Sequence, residues 1–362
     1  VNPTVYLNAL VTAVPETAIA QSAIRDFMLE TLGDTPKKRN FIQKIYEGSA
    51  IETRHSVIPD YGLPAGERKF FPPSEGSEPE PSTARRNALF VIEAEKLAFQ
   101  AVHKLFEQNP EFSAKSVTHL ITVSCTGFSA PGFDYHLFRE FGLNPGIHRF
   151  HIGFMGCFAA FPALKLAQSL VRSTPEAQVL VVDVELCTLH FQKAFEPDVV
   201  VANALFADGA SAALLSAKPG LLELHEFRSH IIPGSENDMA WIIGETGFDM
   251  KLSSYVPRLI EGNIQAVLDR LFVDSGWSRS ELELFAVHPG GRAILDKMAN
   301  VLALTHGELD VSYDILRRYG NMSSVTVFFV LRELLDRGKK GKLFSCAFGP
   351  GLTVESAFLE VL

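Results

Sequence analysis

Apolar residues follow two rhythms along this chain. Short runs rich in Val, Ile and Leu, bounded by turn formers, predict strands at 118–124, 178–184 and 282–287. Longer stretches with apolar positions three and four apart predict helices at 88–105, 158–171, 255–272 and 325–336. Such alternation argues for an α/β fold whose sheets are covered by helices. Further strands expected at 211–215, 221–227, 343–348 and 352–361 point to a second sheet. The segment 59–86 breaks the pattern, with six prolines and few apolar residues. It reads equally as a passive surface loop or as a cover over a site.

With 362 residues, the chain is longer than one hydrophobic core usually organises, so two core units are expected. The formal charge of −9 argues against a nucleic-acid surface and leaves room for a local basic patch. Four cysteines (Cys125, Cys157, Cys187 and Cys346) lack metal-ligand spacing, so no metal is expected and a reducing cytoplasm is the simplest compartment. The apolar start at 5–14 has no basic flank and does not read as a secretory leader. No run approaches the roughly 18 apolar residues of a membrane span. The chain holds 28 Phe against 7 Tyr, which fits either a Phe-rich core or a ring-lined pocket for an apolar acyl group.

Candidate chemistry begins at Ile152-Gly153-Phe154-Met155-Gly156-Cys157-Phe158, where a strand at 148–152 feeds a helix. A thiol in the first turn of that helix would sit at the positive end of its dipole, which favours thiolate. Gly153 and Gly156 would leave room for substrate beside the sulfur. A buried structural cysteine is the plain alternative. Two more segments bear on the choice. His288-Pro289-Gly290-Gly291 closes a strand, and Tyr319-Gly320-Asn321-Met322-Ser323-Ser324 opens a buried helix. A histidine moves protons near neutral pH, and an asparagine supplies an N–H donor that does not titrate. Alone, each also fits a strand-end histidine or a helix cap. Together they could activate a thiolate and hold a developing oxyanion.

At these residues the sequence resembles type III polyketide synthases, the chalcone synthase-like family. Gly156-Cys157-Phe158-Ala159, Ala204-Leu205-Phe206-Ala207-Asp208-Gly209, His288-Pro289-Gly290-Gly291, Tyr319 to Ser324 and Phe348-Gly349-Pro350-Gly351-Leu352-Thr353 carry the likeness, over nearly the whole chain. The resemblance implies the thiolase fold, a duplicated five-layered αβαβα core, with halves at 1–218 and 219–362. Cys157 would fall in the first half, and His288 and Asn321 in the second. It implies Cys157 as acyl acceptor, ion-paired with His288, while His288 and Asn321 bind the thioester carbonyl of malonyl-CoA and stabilise the enolate left by decarboxylation. Neither metal nor redox cofactor is implied. Asp208 and the motif glycines are expected to set shape.

The same resemblance places Phe206 at the aromatic gate, with Met250 where the family usually has a second Phe. Cys125, Cys187, His190, Trp241 and Ser323 fall on pocket-lining positions, and Trp241 should narrow one branch of the cavity. Cys125 and the apolar entrance are similar to bacterial alkylresorcinol and alkylpyrone synthases, which extend long fatty acyl starters with a few malonyl units. Within the basic run Lys37-Lys38-Arg39 and Lys44, only Lys44 matches a family position for CoA phosphates; Phe41 and Gly48 depart from two others. The starter could therefore arrive on CoA or on an acyl carrier protein. A homodimer is expected, with Ala130 where many members put a methionine into the partner's cavity. A single-condensation enzyme like ketoacyl synthase III is the nearest alternative; a Cys-His-Asn hydrolase and a noncatalytic acyl binder are more distant ones.

Overall fold

The computed structural model describes residues 3–73, 80–236, 238–252, 256–305 and 307–362. Tyr255, the expected start of one helix, and Pro79 of the proline-rich segment lie outside them. The chain opens with β1 (Val5–Ala13), β2 (Ala18–Ala20), α1 (Gln21–Leu32), α2 (Pro36–Gly48) and β3 (Thr53–His55). Next come α3 (Thr83–Gln108), β4 (His119–Ser124), α4 (Phe133–Glu140), β5 (His148–Gly153), α5 (Ala160–Ser173), β6 (Val179–Leu186), α6 (Pro197–Leu205) and β7 (Asp208–Ser216). The remainder forms β8 (Leu222–Ile231), β9 (Met239–Gly244), β10 (Gly247–Leu252), α7 (Val256–Ser275), β11 (Leu284–Val287) and α8 (Arg292–Val301). It ends with α9 (Asp310–Tyr319), α10 (Thr326–Asp336), β12 (Gly341–Gly349) and β13 (Thr353–Val361).

The main sheet runs β11-β12-β13-β8-β1-β7-β6-β4-β5. This corrects the expectation of a separate second sheet. β1 and β8 pair through Val5↔Leu224 to Leu7↔Leu222, so the two sets of strands join edge to edge. The run expected at 211–215 lies in β7, between β1 and β6, and not with the late strands. Duplication is visible in the order itself. β4-β6-β7-β1 and β11-β12-β13-β8 repeat one pattern, each with one parallel pair followed by two antiparallel pairs.

Two apolar helices fill the middle layer. α5 packs on β4 and β6 and also on β8 and β13, while α10 packs on β1, β7 and β11. A helix that touches both sets of strands must lie inside the folded sheet. α3 covers β1, β6 and β7 from outside, and α7 covers β8, which completes helix-sheet-helix-sheet-helix layering, the thiolase fold. α10 is apolar almost all round, Val327-Phe328-Phe329-Val330-Leu331, because both of its faces are buried.

The proline-rich segment is anchored where it is described. Asp60 accepts from the backbone N–H groups of Phe70 and Phe71, and the Tyr61 hydroxyl donates to the Thr188 carbonyl. Tyr61 and Phe71 pack edge-on against Phe191.

Candidate active site

α5 and α10 occupy equivalent places in the repeated pattern, and each is entered by a tight turn. Cys157 lies in the turn just before α5; Asn321 and Ser323 lie just before α10. The α5 helix begins at Ala160, so Cys157 precedes the first helical turn and does not belong to it. Two helix N-termini thus approach one place, and the positive ends of their dipoles favour negative charge there.

The glycines before the thiol serve a neighbour. Gly156 has φ +79, and a Cβ there would stand 2.4 Å from Pro350 Cδ. A Cβ on Gly349 would stand 2.4 Å from Phe158 Cδ1. The expectation that Gly156 leaves room for substrate is therefore corrected: the space is taken by the Gly349-Pro350 turn. Distant motifs occur together because each fills the other's missing side chain.

A cavity of about 330 Å³ opens at this turn. Its wall includes Cys157, His288, Asn321 and Ser323, with Cys125, Cys187, Phe206, Trp241 and Met250 around them. Lys44 lines it as well, on α2, and has no ion pair among the described residues; Lys38 instead pairs with Asp34 at 2.7 Å. Arg292, at the start of α8, lines the same cavity and was not singled out from the sequence. Its only signal was its place directly after His288-Pro289-Gly290-Gly291.

Cys157 is half-buried, and desolvation pushes its thiol up to about 12, against the pull of hydrogen bonds from Ser323 and Asn321. His288 is 1% exposed, and burial takes its imidazole down to about 3. Neither ring nitrogen has a hydrogen-bond partner among the described residues. The expected ion pair between Cys157 and His288 is thus not formed in this state; two neutral groups share the chamber, because burial without a bound charge disfavours both ionised forms. Asn321 is held in one orientation. Its Oδ1 accepts from the Ser323 N–H at 2.9 Å, and its Nδ2 donates weakly to the Gly290 carbonyl at 3.3 Å. That leaves the amide's NH₂ as the group available to a ligand. Its backbone pairs with the Phe206 stretch through Ala207 N–H to Asn321 O and Asn321 N–H to Leu205 O, both 2.9 Å.

Trp241 and Met250 face each other across the β9–β10 hairpin, and the Trp241 indole donates to the Cys125 carbonyl at 2.7 Å. His190 lines a smaller adjoining pocket that shares Cys187, Phe206, Trp241 and Met250 with the main one. Its Nε2 donates to the Thr126 carbonyl at 2.6 Å, and its Nδ1 accepts from the Phe248 N–H at 3.1 Å. Asp208 accepts from the Thr188 N–H and hydroxyl and the Val57 N–H, at 2.6 to 2.9 Å, as a shape-setting residue should.

Sequence reasoning also passed over Asp183 and Glu185. Both are fully buried on β6, and Glu185 accepts from the Cys125 N–H at 2.9 Å. Two carboxylates two residues apart inside Val179-Leu180-Val181-Val182 and Val184 were the available signal, since carboxylates are rarely buried whole. Among the described residues, no three His, Cys, Asp or Glu side chains are grouped to hold a metal, and no helix is long and apolar enough to cross a membrane.

Comparison with known proteins agrees with this architecture. The family model for chalcone and stilbene synthases, N-terminal domain, matches residues 3–219, and that for the C-terminal domain matches 223–362. The alpha-pyrone synthesis polyketide synthase-like Pks18 of Mycobacterium tuberculosis is 31% identical, over 98% of this chain and 91% of its own. Probable polyketide synthase 1 of Dictyostelium discoideum is 30% identical over 96% of this chain, which spans 11% of that longer protein. The solved C-terminal type III polyketide synthase domain of Steely1, a type I/III hybrid from Dictyostelium, superposes with a TM-score of 0.89 at 29% identity, covering 99% of both chains. PKS-I from the brown alga Ectocarpus siliculosus superposes at 0.91 with 26% identity, covering 100% of this chain and 99% of its own. Two family models that together span almost every residue leave one conclusion: this chain belongs to the chalcone and stilbene synthases and is an acyltransferase of the type III polyketide synthase class.

Proposed function

We propose that the enzyme loads a long-chain fatty acyl group from a thioester onto Cys157, extends it with malonyl-CoA by decarboxylative Claisen condensation, and closes the product to an alkylpyrone or alkylresorcinol. One observation carries the reading: Cys157, His288 and Asn321, far apart in sequence, line a single cavity. Its walls of Phe206, Met250, Trp241 and Leu205 suit an alkyl chain. Met250 in place of a ring gives the gate an unbranched, adaptable side chain. Likeness to a relative named for alpha-pyrone synthesis supports the pyrone arm.

In the first half-reaction, the Cys157 thiol gives its proton to the unpartnered His288 imidazole, and each new charge stabilises the other in the dry chamber. The N–H groups ahead of α5 and the Ser323 and Asn321 donors assist the thiolate. Sulfur attacks the acyl thioester carbonyl, and the carrier thiol leaves with a proton. Malonyl-CoA then places its thioester oxygen against His288 and the Asn321 NH₂. Loss of carbon dioxide leaves an enolate whose negative oxygen those donors hold. Its carbon attacks the Cys157-bound acyl carbonyl, the Cys157 thiolate leaves, and the chain, longer by two carbons, now sits on CoA and returns to Cys157 for the next round. Lys44 and Arg292 at the cavity wall are the groups for the phosphates of a CoA or phosphopantetheine carrier.

The 1–218 and 219–362 units fit this chemistry, since the thiol comes from one and its two partners from the other. A homodimer fits as well. β5 ends the sheet with an unpaired edge and a mostly exposed face, and Phe128, Phe150 and Phe154 near it are 52%, 38% and 37% exposed. A cytoplasmic setting accords with four free thiols.

Incubating the enzyme with a graded series of acyl-CoAs plus malonyl-CoA, and weighing the products, tests the proposal. Long-chain pyrones or resorcinols are expected. A single two-carbon extension, or free acid formed without malonyl-CoA, would overturn it.

A further inference from the structure

Behind the nucleophile lies a buried acid pair, bonded to no cationic side chain among the described residues. Asp183, Glu185 and Ser324 are all 0% exposed. The Ser324 hydroxyl oxygen stands 2.9 Å from Asp183 Oδ1 and 2.7 Å from Glu185 Oε1. Glu185 Oε2 accepts from the Cys125 N–H at 2.9 Å and from the Thr126 hydroxyl at 3.0 Å. Asp183 Oδ2 has no partner among the described residues. Among the described residues, no lysine, arginine or histidine is bonded to either carboxyl.

Counting hydrogens decides the protonation. Ser324 has one hydroxyl hydrogen and faces two carboxyl oxygens, so it donates to only one of them. Were both acids ionised, the other oxygen would point at a lone pair in a dry site. One acid therefore keeps a proton. Glu185 has two further donors and Asp183 has none, which puts the proton on Asp183 and the charge on Glu185. Burial raises both acids; the Glu185 charge raises Asp183 further, while hydrogen bonds from Ser324, Cys125 and Thr126 pull Glu185 back down. The resting order is Asp183 O–H to Ser324, and Ser324 O–H to Glu185 carboxylate.

Glu185 is also the acid that bears on the thiol. Asp183 is in register with Val123, which places Glu185 level with Cys125 at the end of β4. Cys125 Sγ accepts from the Gly156 N–H at 3.0 Å, directly beside Cys157. The Glu185 charge opposes ionisation of Cys157. The other titratable groups facing the pair are the Cys125 and Cys187 thiols, with Asp208 beyond Cys187.

We propose that Asp183 and Glu185 form a proton relay through Ser324 that carries negative charge away from Cys157 as its thiolate forms. The Asp183 O–H bond breaks and its proton joins Ser324 Oγ, while the former Ser324 proton joins Glu185 Oε1. Asp183 becomes the carboxylate and Glu185 the neutral acid, with no net change in charge. The Cys157 proton goes separately to His288. Asp183 and Ser324 are positioning residues here, since neither touches substrate. The relay rests on Cys157 as the acyl acceptor, but it is read on the thiol alone, without malonyl chemistry.

The test is the pH profile of iodoacetamide alkylation, followed on the Cys157 peptide by mass. Asp183→Asn and Ser324→Ala fix the charge on Glu185 and should raise the midpoint, by about one unit, or about tenfold less thiolate at a given pH. Glu185→Gln removes the charge and should lower it. Three profiles that coincide with wild type, or a shift of Asp183→Asn and Glu185→Gln in one direction, would overturn the relay while leaving the proposed condensation intact. Failure of Cys157 to alkylate at any pH would overturn both. Infrared spectroscopy of the unsubstituted enzyme does not depend on any variant folding. Well above the value of about 6 for Asp208, a protonated buried carboxyl band should persist. Its absence would refute the relay.

Discussion

His190 and His288 are both buried, 5% and 1% exposed, and burial takes both down to about 3. Their bonding differs completely. His190 is saturated, donating to Thr126 and accepting from Phe248, with its ring stacked on Phe248 at 4.0 Å between centroids. His288 leaves both nitrogens unpaired beside the main cavity. A saturated buried imidazole holds the fold together; an unsaturated one retains its bonding capacity for a substrate. The same perturbed titration therefore marks a saturated brace in one place and, in the other, the unpaired ring that the proposed mechanism uses as its proton carrier. Only the hydrogen-bond count separates them.

Exchanging each ring for a methyl group tests that separation most strongly. His288→Ala should lower condensation about 10²–10⁴-fold, as loss of an acid–base group and oxyanion donor does. It removes no protein hydrogen bond, so urea unfolding should change by less than about 1 kcal/mol. His190→Ala should reverse the outcome. It strands the buried Thr126 carbonyl and Phe248 N–H, at about 1–3 kcal/mol each, and turnover per folded molecule should stay within about tenfold. Equal losses of stability in the two variants would break the comparison.

Acid sharpens it. Unfolded histidines titrate near 6.5, whereas both of these stay neutral in the fold down to about 3. Below the unfolded value the unfolded chain takes up more protons, so stability falls as pH drops through that window and is complete above it. Either substitution should flatten the fall by up to about 1.4 kcal/mol per pH unit, measured by thermal unfolding across the window. Asp208, raised to about 6 by burial, works in the opposite direction and is unchanged in both variants. The smallest effect concerns Trp241, which packs edge-on to His190 at 5.5 Å. Trp241→Gly should shift the pyrone-to-resorcinol ratio a few-fold, about 1 kcal/mol between competing closures, with total turnover retained. An unchanged ratio would remove Trp241 from product control.

Much of the fold was legible because burial on two sides leaves a strong record. The run 325–336 appeared as α10 within one residue, and β4, β6, β12 and β13 fell where apolar runs ended at turn formers. Joining of the two sets of strands was not legible, since β1 and β8 are ordinary apolar strands and nothing local says that their edges meet. The three chemical residues could be named from their settings and from the family likeness. Their bonding could not be named. Gly156 looked like room for substrate until Pro350 filled it, and Asp183 drew no reading until Ser324 tied it to Glu185. Sequence shows which groups exist; which lone pairs remain free depends on neighbours brought in from elsewhere.

The central claim is that sulfur at 157 carries the growing chain, out of four free thiols that burial pushes upward. Incubating the enzyme with palmitoyl-CoA alone and mapping the acyl group by peptide mass spectrometry tests it most directly. One palmitoyl group should appear on Cys157, none on Cys125, Cys187 or Cys346, and none in Cys157→Ala. Acylation at another cysteine, or undiminished acylation of Cys157→Ala, would contradict it.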